Sequence, residues 1–126
     1  MIDVAVTGPT GTFGAALVPR LLADERIGRV VGIARRPFDP NAHGWSGLEY
    51  RRGDVRDTDA LAVAFEGADA VVHLAFLVIG AANPATIRAI NVDGTLNAFR
   101  AAAAVGARRF VYASSCSTYG AGGDEM

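Results

Sequence analysis

Residues 4–14 read Val-Ala-Val-Thr-Gly-Pro-Thr-Gly-Thr-Phe-Gly, a short apolar run that breaks at Gly8, with Gly11 and Gly14 following at intervals of three. The short, apolar and β-branched segment over 2–7 predicts a strand buried on both faces. Phe13, Leu17, Leu21 and Leu22 then fall near helical spacing and predict a helix over 12–24, with Pro19 expected to bend it. A buried strand that passes through a glycine loop into a helix restricts the chain to an α/β architecture with a parallel sheet.

The remaining sequence continues the alternation. Strands are predicted at 30–34, 48–52, 69–76 and 108–115. The segment 35–47, with Pro37, Pro40, Gly44 and Gly47, reads as a loop, and Trp45 within it belongs to no motif. A helix is expected over 57–68, with Asp57 or Thr58 near its N-cap. A long helix is expected over 84–105, with Ile87, Ile90, Leu96 and Phe99 on one side and Gly106 stopping it. The expected fold is a doubly wound, five-stranded parallel sheet in the order 3-2-1-4-5, since crossovers are right-handed. Residues 1–115 form the predicted domain, and 116–126 read as a flexible tail leading into a further C-terminal part.

Composition narrows the function. With 126 residues, 51% hydrophobic and 20% charged, the chain suits one globular domain. A net charge of −1 argues against nucleic acid or an anionic membrane as partner. All 12 basic residues are arginine, so no lysine can act as Schiff base, phosphate ligand or catalytic amine. The single cysteine, Cys116, fits a reducing compartment, and no signal peptide is evident. The longest apolar run carries His73 and Gly80 and is too short for a bilayer, so a cytoplasmic location is expected. His73 reads as a core histidine rather than a ligand, and no metal site is expected.

A glycine loop between strand and helix is where a dinucleotide pyrophosphate binds. Glycine permits the tight turn and close approach, and the helix N-terminus offers free N–H groups and a positive dipole end. A Walker-type phosphate loop is excluded because no Gly-Lys pair follows. The pattern Thr7-Gly8-x-x-Gly11-x-x-Gly14 resembles the fingerprint of the extended short-chain dehydrogenase/reductases, the NAD(P)-dependent epimerases and dehydratases. Further stretches resemble that family in order: "GDVRD", "VVHLAF", "NVDGTLNAFRAA" and "FVYASSCSTYG". The resemblance implies a dinucleotide held by Gly8, Gly11, Thr12, Phe13 and Gly14. It further implies Asp54 and Val55 beside the adenine, Leu74, Ala75 and Phe76 along the cofactor, and Asn91 as the matching polar residue. Capping of the following helix is the competing role for Asp54.

An acid at the end of the second strand would bind the ribose hydroxyl of NAD, and an arginine there accommodates the extra phosphate of NADP. Here Ala34 is followed by Arg35 and Arg36, which favours NADP(H) over NAD(H). The family's chemistry uses a tyrosine with a lysine four residues beyond it, and a serine or threonine after the fifth strand. The resemblance places Ser115 at that last position, with Ser114 one residue away as the alternative, and the Tyr-x-x-x-Lys pair is absent. Tyr119 belongs to a Tyr-Gly turn and has Gly123 four residues on. Two readings remain. One is the cofactor-binding part of an epimerase, dehydratase or reductase acting on a nucleotide sugar or similar small molecule, inactive by itself. The other is a non-catalytic dinucleotide-binding module. In both, uncovered apolar surface on the long helix and the last strand predicts self-association.

Overall fold

The computed structural model describes residues 1–78 and 80–114. Strand β1 (Ile2–Thr7) leads into helix α1 (Thr12–Ala23), followed by β2 (Ile27–Ala34) and β3 (Leu48–Arg52). Helix α2 (Thr58–Phe65) and β4 (Ala70–His73) come next. Helix α3 (Pro84–Arg88) then passes through a π turn (Ala89–Asp93) into α4 (Gly94–Ala104), and β5 (Arg109–Tyr112) completes the described sheet. The strands are parallel and ordered β3-β2-β1-β4-β5, as expected. No helix among the described residues is long and apolar enough to cross a membrane.

Register places the site. Thr7 stands opposite Ile33 on β2 and His73 on β4, so the carboxyl ends of three central strands finish level. Successive connections depart to opposite sides there, which opens a crevice between the ends of β1 and β4. Alternation along β1 and β2 divides the core between the two faces. Ala5, Val31 and Ile33 join α2 and α4 residues such as Phe65 and Ala98 on one face. Val30 joins Val18 of α1, Leu48 and Trp45 on the other.

Local chemistry explains most boundaries. Asp57 caps α2, its carboxylate accepting from the amides of Asp59 and Ala60 at 3.0 and 3.1 Å. Asp54 is therefore not the cap. Asn83 caps α3, accepting from the Thr86 amide at 2.9 Å, with Pro84 in the first turn. Gly106, at φ +79°, follows the end of α4. Helix α1 runs through Pro19, whose side chain lies on the exposed face.

The long helix differs from the expected pattern. Ile90 is buried, but Leu96 and Phe99 are 45% and 55% exposed. The face that packs against α2 is instead Gly94, Ala98 and Ala102. These small residues recur every four positions, and a Cβ at Gly94 would sit 2.5 Å from Cγ2 of Val55 in the segment leading into α2. The π turn shifts the phase between Ile87 and the residues after it. Bulk was therefore a poor guide to the buried side.

Trp45 is the other departure. It is 7% exposed and closes the α1 face of the core from within a loop. Its ring meets His43 at 4.5 Å and Phe38 at 5.5 Å. Substitution Trp45→Ala is expected to cost about 3–5 kcal/mol of folding stability, measured by urea denaturation, whereas truncating an exposed loop residue such as Asn41 should cost little.

Candidate functional site

The crevice is held by a chain of buried and half-buried polar contacts. The Thr7 hydroxyl oxygen accepts from the amides of Leu74 and Ala75 at 3.0 and 3.1 Å. With both lone pairs used, its proton goes to His73 Nδ1, 2.7 Å away. His73 Nε2 therefore carries the ring proton and donates to Thr95 Oγ1 at 3.0 Å. Thr95 in turn donates to the Asn91 carbonyl at 2.6 Å, within the π turn. The Asn91 carboxamide closes the series on the main chain of Leu77, accepting from its N–H and donating to its C=O, both at 2.7 Å. His73 is 1% exposed, and burial pushes its pKa down to about 4. It is a satisfied core histidine, as its apolar strand suggested.

The glycine loop leaves β1 against this frame. Gly8 adopts φ +69°, and a Cβ there would lie 2.9 Å from the Leu74 carbonyl carbon and the Ala75 nitrogen. A Cβ at Gly14 would lie 2.2 Å from the Pro9 carbonyl oxygen. Both glycines are thus required by the protein's own packing. Gly11 is different: only the Gly8 oxygen, at 3.6 Å, approaches its Cβ position. It is the N-cap of α1, without a side-chain cap, and the amides of Thr12, Phe13 and Gly14 have no backbone partner among the described residues. Open space above unpaired amides at a positive helix end suits a phosphate.

Two adjoining cavities meet at this point. One, of about 400 Å³, runs from Thr12, Phe13 and Gly14 to Leu74, Phe76 and Val78. The other, of about 180 Å³, runs from Gly8 and Gly11 to Ala34, Arg35, Arg36 and Ala75. Phe13 and Phe76 face each other across the mouth with ring centroids 6.5 Å apart. Ten of the sequence-derived candidates line these cavities: Gly8, Gly11, Thr12, Phe13, Gly14, Arg35, Arg36, Leu74, Ala75 and Phe76.

Three other candidates do not line either cavity. Asp54 forms a two-point ion pair with Arg56 at 3.0 and 2.7 Å, and that hydrogen-bonded guanidinium holds its carboxyl below the usual range. Val55 is buried beneath Gly94, and its carbonyl accepts from Asn97 at 3.1 Å. Asn91 acts on Leu77, as above. Ser115, Cys116 and Tyr119 lie outside the described residues. The Thr7–His73–Thr95 series was not read from the sequence. Its signal was present in a polar residue closing each of two apolar strands and a threonine in the following helix.

Two outcomes are expected. The neutral, buried His73 stays unprotonated when the unfolded chain takes up a proton. Its contribution to stability is therefore complete above pH 6.5 and is lost as pH falls to about 4, by up to about 3 kcal/mol. Urea unfolding at stepped pH should show this loss, and His73→Gln should lack it. In the loop, Gly14→Ala should destabilise by about 3 kcal/mol. Gly11→Ala should cost under about 1 kcal/mol yet weaken any phosphate-bearing ligand of the loop by at least about tenfold, read by calorimetry with a nicotinamide dinucleotide.

Comparisons with known proteins agree with this geometry. The profile of the NAD dependent epimerase/dehydratase family matches residues 4–126. The chain is 36% identical over 121 residues to the L-arabinose 1-dehydrogenase (NAD(P)(+)) of Haloferax volcanii, covering 91% of this chain and 41% of that protein. It is 39% identical over 134 residues to a 3 beta-hydroxysteroid dehydrogenase/Delta 5-->4-isomerase of Mycobacterium tuberculosis, covering 97% and 35% respectively. The fold superposes on uronate dehydrogenase from Agrobacterium tumefaciens, a Y136A mutant complexed with NAD. The TM-score is 0.77 at 29% identity, covering 91% of this chain and 41% of that one. The chain spans less than half the length of the curated relatives it matches, in some cases 12%. Fingerprint, strand order and sequence relatives coincide, and the chain belongs to the NAD dependent epimerase/dehydratase family.

Proposed function

We propose that this chain is the dinucleotide-binding part of an oxidoreductase, epimerase or dehydratase, with NADP(H) favoured over NAD(H). The observation that carries the reading is the open Gly11 cradle whose cavity is also lined by Arg35 and Arg36. In this reading the amides of Thr12, Phe13 and Gly14 hold the pyrophosphate at the positive end of α1. Arg35 and Arg36 neutralise a phosphate monoester on the adenosine ribose. Phe13 and Phe76 shield the mouth from water. A bound nicotinamide dinucleotide supplies the hydride donor or acceptor. The relatives' names include sugar, uronate and steroid dehydrogenases, which supports a substrate whose hydroxyl or carbonyl group reacts, in a nucleotide sugar or similar small molecule.

A second reading is favoured by one observation. The side chains lining the two cavities are apolar, hydroxyl-bearing or arginine, and the chain contains no lysine. Nothing among these lining groups exchanges a proton near neutral pH. A binding module without turnover fits that lining as well. In either reading, exposed Phe99 and Leu96 on α4 and Val111 and Tyr112 on β5 support self-association.

Titration calorimetry with NADP+ and NAD+ tests the cofactor assignment. Replacing both arginines, Arg35→Ala with Arg36→Ala, should weaken NADP+ at least about tenfold more than NAD+. Equal losses, or none, would remove the assignment.

A further inference from the structure

Arg35 and Arg36 lie in the irregular segment just past β2, where no ladder fixes a long, flexible side chain. Their main chain is nevertheless held at consecutive carbonyls. The Ala34 carbonyl accepts from the Gly53 amide at 2.8 Å, which continues the β2–β3 ladder by one bond. The Arg35 carbonyl accepts from Arg52 Nε at 3.0 Å. The Arg36 carbonyl accepts from the Tyr50 hydroxyl. Tyr50 and Arg52 are two residues apart on β3 and so project from the same face of that edge strand. The Tyr50 ring is fixed in turn, packing on Phe38 at 5.3 Å, and Phe38 packs on buried Trp45. The loop aromatics thereby anchor the strand side chain that holds the arginine segment.

We propose that Tyr50, assisted by Arg52, is a specificity-determining positioning residue. It fixes the Arg35–Arg36 main chain so that both guanidiniums meet a phosphate monoester beside the glycine cradle. This rests on the reading that the arginine pair takes the extra phosphate of NADP. Without the two donors, the segment would have to be ordered during binding, and that cost would fall on the ligand carrying the phosphate. Partial burial raises the Tyr50 pKa, keeping the hydroxyl protonated as a donor.

Tyr50→Phe removes the hydroxyl and keeps the ring against Phe38. Calorimetric titration of the whole chain should show NADP+ weakened about threefold to tenfold more than NAD+. In a background carrying Arg35→Ala and Arg36→Ala, adding Tyr50→Phe should change NADP+ affinity no more than NAD+ affinity. Arg52→Met, tested the same way, should shift the ratio in the same direction. Equal weakening of both dinucleotides by Tyr50→Phe would mean a merely structural tyrosine and overturn the inference. So would a selective NADP+ loss that persists without the arginines. If the arginine variant alone leaves the NADP+/NAD+ ratio unaltered, the underlying cofactor reading fails and the inference falls with it. Failure there is visible in a different variant from failure of the tyrosine's role.

Discussion

The Thr7 hydroxyl is the contact on which the crevice depends. Parallel strands β1 and β4 part company after Thr7 and His73, where the Leu74 amide still reaches the Thr7 carbonyl at 3.0 Å. The Ala75 amide, with no main-chain partner among the described residues, would be left in a largely apolar setting. Thr7 accepts from both, and the buried His73 takes the hydroxyl proton that remains. Leaving a shielded donor unpaired costs about 1–3 kcal/mol, so the arrangement is worth more than a single surface hydrogen bond. It also sets the separation of the two walls. Gly8 fits against Leu74 and Ala75 because those residues are held in this place.

The same polar series reaches farther than the strands. Through Thr95 and Asn91 it extends to Leu77, so the segment after β4 is referred back to the end of β1. Both the glycine loop and the opposite wall are thus measured from one threonine. A neutral histidine is the right joint for that purpose. Its two nitrogens offer one acceptor and one donor on opposite sides of a ring, and burial keeps it in that state.

The parallel sheet and the cradle were legible because they depend on local patterns. A mostly apolar strand, a glycine loop and a helix of periodic apolar residues announce themselves within about fifteen residues. Arg35 and Arg36 could be placed at the same site because strand order fixes where β2 ends. The buried face of the long helix was not identified, because packing there selects Gly94, Ala98 and Ala102, residues that carry no bulk signal. Trp45 was uninterpreted because a loop residue has no period, and the core it closes is drawn from α1, β2 and β3. Asn91 matched a motif, but that its carboxamide grips Leu77 depends on a π turn that propensity does not reveal. Local rules described the elements, and long-range contacts decided which side chains faced where.

The contact between Gly14 and Pro9 has one more consequence. The loop curls until the first turn of α1 rests on the Pro9 carbonyl, leaving no space for even a methyl group. Pro9 is itself buried and touches Gly32 of the neighbouring strand. The curve of the loop is therefore set by the sheet beneath it and not by whatever lies above it. Its conformational entropy is lost when the chain folds, before any ligand arrives. An incoming anion meets a finished, preorganised surface, and its affinity is not reduced by the cost of shaping one.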